Sequence, residues 1–269
     1  MGLLTDTHCH LNLPIFHEDM EAVLERAWEN GLQRILVPGI NVETSRSAVA
    51  LAEQHPNLYA AVGVHPGDAN TWNDDSLVVL RELAQHPKTV AVGEIGLDYY
   101  RDRSPRIVQR EVFRAQLELA GELGLPVIVH NREAFDDLWS ELETWTDEIN
   151  SSASTLAQFP GVLHSFDGSL ANGQQAAEKG FFIGISGPVT FKNAPERQST
   201  ATALPIDQIL IETDAPYLTP HPYRGRRNEP AYVALVAEKI SELHGISLEA
   251  AAQVTWQNAA KLFHWGANS

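Results

Sequence analysis

Eight short apolar segments alternate with longer amphipathic stretches along this chain, and each apolar segment ends in polar or turn-forming residues. The segments are dense in Val, Ile and Leu rather than alternating with polar residues, which is typical of strands buried on both faces of a parallel sheet. The segments cover residues 3–10, 34–40, 58–65, 90–98, 126–130, 161–164, 181–187 and 209–214.

The stretches between these segments predict helices, which cover residues 17–30, 43–55, 75–86, 105–123, 133–146, 170–179, 230–244 and 247–263. Pro105 and Gly124 stand where a proline usually opens a helix and a glycine usually closes one. A low-complexity patch over residues 150–158 predicts a surface loop. The alternation of eight strand and helix units predicts an α/β fold, namely a single (β/α)8 TIM barrel domain over residues 1–269, whose chemistry lies at the carboxyl ends of its strands.

The composition is that of a soluble globular protein large enough for one such barrel. The 269 residues are 43% hydrophobic and 20% charged, and no apolar stretch reaches the roughly 18 residues that a membrane span needs. The single cysteine, Cys9, cannot form an internal disulfide, which suits a reducing compartment. The N-terminus lacks the features of a signal peptide. We therefore expect a cytoplasmic protein that makes no contact with membranes.

The formal net charge of −16 limits the classes of partner. General affinity for nucleic acid comes from many phosphate contacts and favours a basic surface. A polyanionic substrate would therefore have to be bound locally, by metal ions and by a few arginines.

The predicted metal ligands fall in or at the ends of five of the eight apolar segments. Because the carboxyl ends of barrel strands meet at one end of the barrel, the fold would gather these side chains into one ring. Each histidine taken singly is as well explained by a core position, but 5 of the 11 histidines, counting His65, fall at predicted strand ends. The predicted ligands are His8, His10, Glu94, His130, His164 and Asp214.

The His8-Cys9-His10 triplet is predicted to lie in a strand. Residues two apart in a strand point to the same face at about 6.5–7 Å, so both imidazoles could hold one ion while Cys9 points the other way. Glu94 emerges from an apolar strand, where a carboxylate is costly to bury unless it is paired or bound to a cation. Asp98 fits a metal ligand and a helix cap equally well.

Asp214 is predicted to act both as a ligand and as a general base. Glu212, two residues earlier, would share its face and could orient a first-strand histidine. Four histidines and two carboxylates exceed what one tetrahedral ion uses, which favours two divalent ions bridged by a carboxylate and a hydroxide. The ligand set admits zinc, nickel, manganese or magnesium.

Several arginines are predicted to lie at the same end of the barrel. One follows His130, and a group follows the eighth strand, where many barrels hold phosphate. A solvated surface loop would explain the group as well. The candidate phosphate-binding residues are Arg132, Arg224, Arg226 and Arg227.

Seven motifs in chain order carry a resemblance to a known family. They are residues 5–10 (TDTHCH), 64–66 (VHP), 93–98 (GEIGLD), 129–132 (VHNR), 164–166 (HSF), 212–218 (ETDAPYL) and 224–228 (RGRRN). The set resembles the TatD family of metal-dependent hydrolases, which have amidohydrolase-like barrels. Ser165 stands where family members often carry cysteine. The resemblance implies a divalent-metal deoxyribonuclease, often a 3′–5′ exonuclease, which acts on the 3′ end of DNA or another nucleic acid.

The resemblance also implies roles for the residues. His8, His10 and Asp214 would hold one ion, His130 and His164 the other, and Glu94 would bridge them. A hydroxide bound between two ions would attack the phosphorus, with Asp214 accepting the proton. The resemblance implies that His65 and Arg132 face the substrate phosphate and stabilise its developing charge.

Three alternatives stay open. The sequence does not reveal the oligomeric state, and we favour a monomer. The chain could hydrolyse a D-aminoacyl ester on tRNA, as some relatives do. It could be another amidohydrolase that cleaves a cyclic amide or lactone, although that group usually bridges its metals with a carbamylated lysine where this chain has Glu94. It could also be a non-catalytic metal-binding scaffold, against which the complete ligand set argues.

Overall fold

The structure, a computed structural model, describes residues 3–151 and 155–265. Within these residues the eight strands form one sheet whose strand order follows the chain. The strands are β1 (Leu4–Asp6), β2 (Leu32–Pro38), β3 (Leu58–Val62), β4 (Thr89–Asp98), β5 (Val127–Arg132), β6 (Gly161–Leu163), β7 (Phe182–Ile185) and β8 (Ile209–Ile211). The pairings described are parallel. This order is the one that a (β/α)8 barrel requires, so the predicted fold class is confirmed.

Helices separate the strands, and the described residues contain one helix that the sequence did not predict. The α-helices are α1 (Met20–Glu29), α2 (Val42–Gln54), α3 (Asp74–Ala84), α4 (Arg106–Leu123), α5 (Phe135–Ser151), α6 (Leu170–Glu178), α7 (Pro195–Ala203), α8 (Val233–His244) and α9 (Leu248–Phe263). The unpredicted helix is α7, which buries only Ala201 and therefore shows no apolar periodicity.

The fifth helix is longer than predicted, because it continues past residue 146 to Ser151. The loop predicted over residues 150–158 is therefore wrong at its two ends, which belong to α5 and to a 3-10 helix at Thr155–Gln158. Residues 152–154 lie outside the described residues. The predicted ends of α4 are confirmed, since Pro105 precedes its first residue and Gly124 closes it at a φ of 67°.

The chain divides into two compact units. The first unit contains, of the described residues, 3–37, 165–177 and 182–265. Its strands are β1, β7, β8 and β2 as far as Val37, and α9 contacts both β1 and β8. The prediction of a single domain over residues 1–269 stays a prediction.

Within the first unit, the chain that follows β1 runs beside the chain that follows β8. His10 N donates to Ala215 O at 2.8 Å, Asp214 N donates to His8 O at 2.8 Å, and Cys9 forms an isolated bridge with Ala215. β1 itself ends at Asp6, so the prediction that His8 and His10 lie within this strand is wrong. The pairing with the segment after β8 nevertheless places them next to Asp214.

The second unit contains, of the described residues, 38–151, 155–164 and 178–181. Its central strand is β4, which is buried along its whole length and pairs with β3 and β5. Gly96 lies opposite His130 in the pairing of β4 with β5, at a φ of 141°. A Cβ at Gly96 would lie 2.0 Å from the His130 carbonyl oxygen, so this close approach of the two strands requires glycine.

No helix in the described part of the chain is long and apolar enough to cross a membrane. Within those same residues, each predicted strand segment overlaps one of the observed strands, and each predicted helix overlaps one of the observed α-helices, in the same order along the chain. The candidate site residues thus lie in the carboxyl-terminal halves of β4 and β5 or in the segments that follow β1, β3, β6 and β8.

Candidate functional site

Two imidazoles and one carboxylate converge in the first unit, and we call His8, His10 and Asp214 the first cluster. The Nε2 atoms of His8 and His10 lie 3.2 Å apart. Asp214 Oδ1 lies 3.9 Å from His8 Nε2 and 3.4 Å from His10 Nε2. Both histidines are buried. The structure therefore brings together three of the predicted ligands from the two ends of the chain.

A buried carboxylate that is not among the predicted site residues, Asp6, supports this cluster. Asp6 Oδ1 accepts hydrogen bonds from His8 N at 3.2 Å and from Thr213 N at 2.9 Å, and its Oδ2 accepts one from Thr213 Oγ1. Burial raises the pKa of Asp6 to about 8, against the effect of these hydrogen bonds and with a further rise from the charge of Glu212. Asp6 thus holds the backbone of the segment that follows β1 against the backbone of the segment that follows β8. An aspartate two residues before a His-x-His motif was the available signal.

Asp214 is held in an unusual backbone conformation, with a φ of 56°. Such a φ is strained for most residues, and aspartate tolerates it better than bulky or β-branched residues. Asn228 secures the segment, because its Nδ2 donates to Thr213 O at 2.9 Å and to Tyr217 O at 2.6 Å. Asn228 is itself fully buried. The last residue of the RGRRN motif therefore has a structural task that sequence reasoning missed.

Glu212 is buried behind Asp214, as its position two residues earlier predicts. Its Oε1 accepts a hydrogen bond from Ser165 N, and its Oε2 accepts one from Thr7 Oγ1 at 3.4 Å. These contacts join the segments that follow β6 and β1. The predicted role of Glu212 in orienting a first-strand histidine stays a prediction.

Three histidines surround one carboxylate oxygen in the second unit, and we call Glu94, His65, His130 and His164 the second cluster. Glu94 Oε1 lies 2.9 Å from His130 Nδ1 and 3.6 Å from the Nε2 atoms of both His65 and His164. Glu94 and His164 are buried, whereas His65 and His130 are partly exposed. All of the predicted strand-end residues of this unit therefore converge.

Asp98 lies behind His130, with its Oδ2 at 3.3 Å from His130 Nε2. Its Oδ1 accepts hydrogen bonds from the backbone N–H groups of Tyr100 and Arg101. Burial acts to raise the pKa of Asp98, but the hydrogen bonds from His130 and Arg101 and the charges of His130 and His65 lower it to about 2. Burial likewise acts to lower the pKa of His130, and its bonds to Asp98 and Glu94 raise it.

The geometry of both clusters fits divalent metal ions. Ligand atoms bound at about 2.1 Å from an ion lie roughly 3.0–3.4 Å from one another. The three distances in the first cluster, 3.2, 3.4 and 3.9 Å, are close to that separation. Glu94, His130 and His164 each offer one ligand atom within 4.8 Å of the others. Three ligands leave a coordination position open for water or substrate, as in catalytic rather than structural sites.

Cys9 lies between two residues of the first cluster in sequence but takes no part in it. It is fully buried, and burial together with the charge of Asp6 raises the pKa of its thiol well above the usual value. A metal-ligating cysteine must be a thiolate. The interpretation of Cys9 as a small buried residue fits these surroundings.

The arginines predicted to bind phosphate have different surroundings. The guanidinium of Arg132 lies 5.1 Å from the centre of the exposed Tyr100 ring, and Arg224 and Arg226 lie over the rings of Phe191 and Tyr223. Arg227 instead makes a bidentate ion pair with Asp19, at 2.8 and 2.6 Å. A phosphate contact by Arg227 would have to compete with this ion pair.

Comparisons with known proteins show which family the chain belongs to. A family model described as TatD related DNase matches residues 5–264. The chain is 42% identical over 261 residues to an uncharacterized metal-dependent hydrolase, YabD, of Bacillus subtilis, covering 97% of this chain and 99% of that protein. It is 36% identical over 265 residues to the protein named 3′-5′ ssDNA/RNA exonuclease TatD of Erwinia tasmaniensis, covering 96% of this chain and 99% of that protein.

Solved structures extend the likeness to the fold. The crystal structure of YjjV, a TatD homolog from Escherichia coli K12, is 35% identical and superposes with a TM-score of 0.89, covering 97% of this chain and 98% of that one. An uncharacterized amidohydrolase from Saccharomyces cerevisiae, 23% identical with a TM-score of 0.86, shows the same fold. With a TIM-barrel fold, two clusters of candidate metal ligands and a family match over almost its whole length, the chain belongs to the TatD-related DNase family of metal-dependent hydrolases.

Proposed function

We propose that this chain hydrolyses phosphodiester bonds in DNA, removing nucleotides from the 3′ end of a single strand with the help of two divalent ions. The observation that carries the proposal is the convergence of the predicted ligands into two clusters whose spacing fits metal ions. The relative named 3′-5′ ssDNA/RNA exonuclease supports nucleic acid as the substrate class.

The two clusters divide the metal ligands between them. His8, His10 and Asp214 would hold one ion, and His130 and His164 the other. Glu94 would bridge both ions, as the sequence predicts. Bound ions would activate a water molecule and neutralise the charge that develops on the phosphate oxygens.

Asp214 is suited to receive the proton that the attacking water loses. Its carboxylate is mostly buried, with 13% of the side chain exposed. The hydrogen bonds from Asn228 to the carbonyls of Thr213 and Tyr217 hold its backbone in place. A base whose position is fixed in this way does not have to reorganise when the proton moves.

His65 is suited to donate a hydrogen bond to a phosphate oxygen. Its Nδ1 accepts a hydrogen bond from Gly67 N at 2.9 Å, so the proton of a neutral ring must lie on Nε2. That Nε2 points toward Glu94 in the second cluster. Arg132 would supply a positive charge to the same phosphate, with its guanidinium positioned against Tyr100. Few other charges could replace it in a chain of net charge −16.

The test compares substrates on metal-loaded protein. We expect release of mononucleotides from a 5′-labelled single-stranded oligonucleotide, and no hydrolysis of D-aminoacyl-tRNA or of a lactone. Asp214→Asn should lower kcat by at least about a hundredfold, the usual scale for a general base, with a small change in KM. Metal content is measured alongside, because Asp214 is also a proposed ligand.

Asp207→Asn is the matched control, since Asp207 is an exposed aspartate just before β8 and should keep full activity. Deacylation of D-aminoacyl-tRNA without nucleotide release would show that the substrate class is wrong. Loaded protein that hydrolyses none of the three substrates would favour the non-catalytic scaffold. The predictions of a monomer and of a cytoplasmic location stay predictions.

A further inference from the structure

A cavity of about 820 Å³ lies in the first unit, between α7 and the segments that follow β6 and β7. None of its lining residues belongs to the first cluster, and the sequence predicted neither the cavity nor the helix that forms one wall. Binding sites for small molecules commonly have volumes of about 300–1,000 Å³. The cavity is therefore large enough for one nucleoside with some water.

Hydrogen bonds link the wall of this cavity to the segment that carries Asp214. Ser186 lines the cavity, and its hydroxyl lies 2.7 Å from the hydroxyl of Ser165. Ser165 N in turn donates to Glu212 Oε1, two residues before Asp214. The wall of the cavity is thus joined to the segment that carries Asp214 through two side chains, those of Ser186 and Glu212, and the backbone and hydroxyl of Ser165 between them.

The lining combines carbon surfaces with neutral hydroxyl groups. Leu170, Ile185 and Val189 provide aliphatic surface, and Ser199 and Thr200 provide hydroxyls from α7. A hydroxyl can rotate to donate or to accept a hydrogen bond. Such a lining suits a flat heteroaromatic ring with polar edges, and it can accept different bases because no rigid donor pattern selects one of them.

The charges of the lining argue against a phosphate site. Asp167 and Glu196 contribute two carboxylates, and Arg197 contributes one guanidinium. That guanidinium already donates to Phe166 O at 3.4 Å and lies 3.6 Å from Asp167 Oδ2. The cavity therefore offers no surplus of positive charge, and an anion would be repelled. An uncharged part of the substrate fits better.

We propose that this cavity binds the base and sugar of the nucleotide whose phosphate lies at the first cluster. The inference rests on the proposed function, because it assigns the substrate's phosphate to the metal ligands. The cavity then serves as a nucleoside subsite that accepts each base in turn as the strand is shortened. Burial of about 60 Å² of apolar base surface corresponds to about tenfold tighter binding.

The test measures binding of two ligands to metal-loaded protein by titration calorimetry. Deoxyadenosine 5′-monophosphate carries a base, whereas 2-deoxyribose 5-phosphate carries the same phosphate and sugar without one. We expect the wild type to bind the nucleotide at least about tenfold more tightly. Ser199→Trp, which places an indole in the cavity from an exposed position on α7, should abolish this difference, because it weakens binding of the nucleotide by at least about tenfold more than binding of deoxyribose 5-phosphate.

Ser140→Trp, at an exposed serine of α5, is the matched control and should behave as the wild type. Equal affinity of the wild type for both ligands would overturn the inference, and so would a Ser199→Trp variant that still prefers the nucleotide. Hydrolysis of the oligonucleotide by the wild type is scored separately. Its failure would refute the proposed function, whereas the comparison of the two ligands decides the nucleoside subsite.

Discussion

Asn228 offers a sharp test of how the fold supports the first cluster. Its side chain makes three hydrogen bonds with the backbone: Nδ2 donates to Thr213 O and Tyr217 O, and Oδ1 accepts from Glu229 N. The first two enclose Asp214, whose φ of 56° is maintained by its surroundings. Replacing Asn228 with alanine removes all three bonds inside a buried region.

The expected cost follows from these contacts. A hydrogen bond contributes about 1 kcal/mol net to stability, and a buried polar group left without a partner costs more than that. Asn228→Ala should therefore lower the free energy of unfolding by about 3 kcal/mol. Asn228→Asp should cost at least as much, because it turns an oxygen toward two carbonyl oxygens while keeping the size of the side chain.

The assay is urea unfolding with a chelator present, so that metal binding does not add to the measured stability. Asn30→Ala is the control, because Asn30 also donates to a backbone carbonyl but is exposed, and its loss should cost no more than about 0.5 kcal/mol. Metal content of the reconstituted Asn228→Ala variant should fall as Asp214 relaxes. A loss of stability below about 1 kcal/mol with full metal content would refute the reasoning.

Four further predictions follow from the clusters and from one ion-pair network. Elemental analysis of loaded protein should show close to two ions per chain, with Glu94→Ala disturbing both ions and His8→Ala mainly one; a stoichiometry that never exceeds one would contradict the two-ion proposal. Cys9→Ala should keep its activity and lose on the order of 1 kcal/mol of stability, so inactive protein with normal folding and metal content would show that the thiol has another role. Arg132→Ala should weaken binding of single-stranded DNA and flatten the slope of log affinity against log salt by about one charge, whereas an unchanged slope would remove Arg132 from the site. Burial acts to raise the pKa of Glu141, but the hydrogen bonds and charges of Arg114 and Arg110 lower it. The stability that Glu141 contributes is therefore present above the pKa that it has in the unfolded chain, and it is lost as the pH falls through its pKa in the folded protein. Glu141→Gln should therefore cost about 1–2 kcal/mol at pH 7 and progressively less below about pH 4, as urea unfolding at both pH values would show.

The strands and the convergence of most of the candidate ligands could be predicted from local sequence. Val, Ile and Leu without alternation mark strands buried on both faces, and a polar residue directly after such a strand lies at its carboxyl end. Glu94 lies within β4, as predicted, and His130 lies within β5, which continues to Arg132; the parallel pairing of these two strands places the two residues near one another. The positions of His8 and His10 could not be predicted from β1 alone, because both lie beyond its end. The hydrogen bonds to the segment that follows β8 place them.

The remaining features depend on partners that are distant in sequence. Asp6 binds Thr213 across 207 positions, and Arg227 pairs with Asp19 across 208. Nothing in the sequence near Arg227 distinguishes an arginine that binds phosphate from one that is held by a carboxylate. Helix α7 was not predicted because it buries too little apolar surface to leave a periodic pattern in the sequence.

Local runs of apolar and polar side chains indicate where the strands lie along the chain and which residue types come near their ends. The packing of distant segments, in contrast, sets which carboxylates support the candidate ligands and where a cavity forms. The hydrogen bonds of Asp6 and Asn228 and the walls around Ser186 exist only after distant segments have packed together. A pattern within one segment carries no information about the atoms that another segment will bring to it.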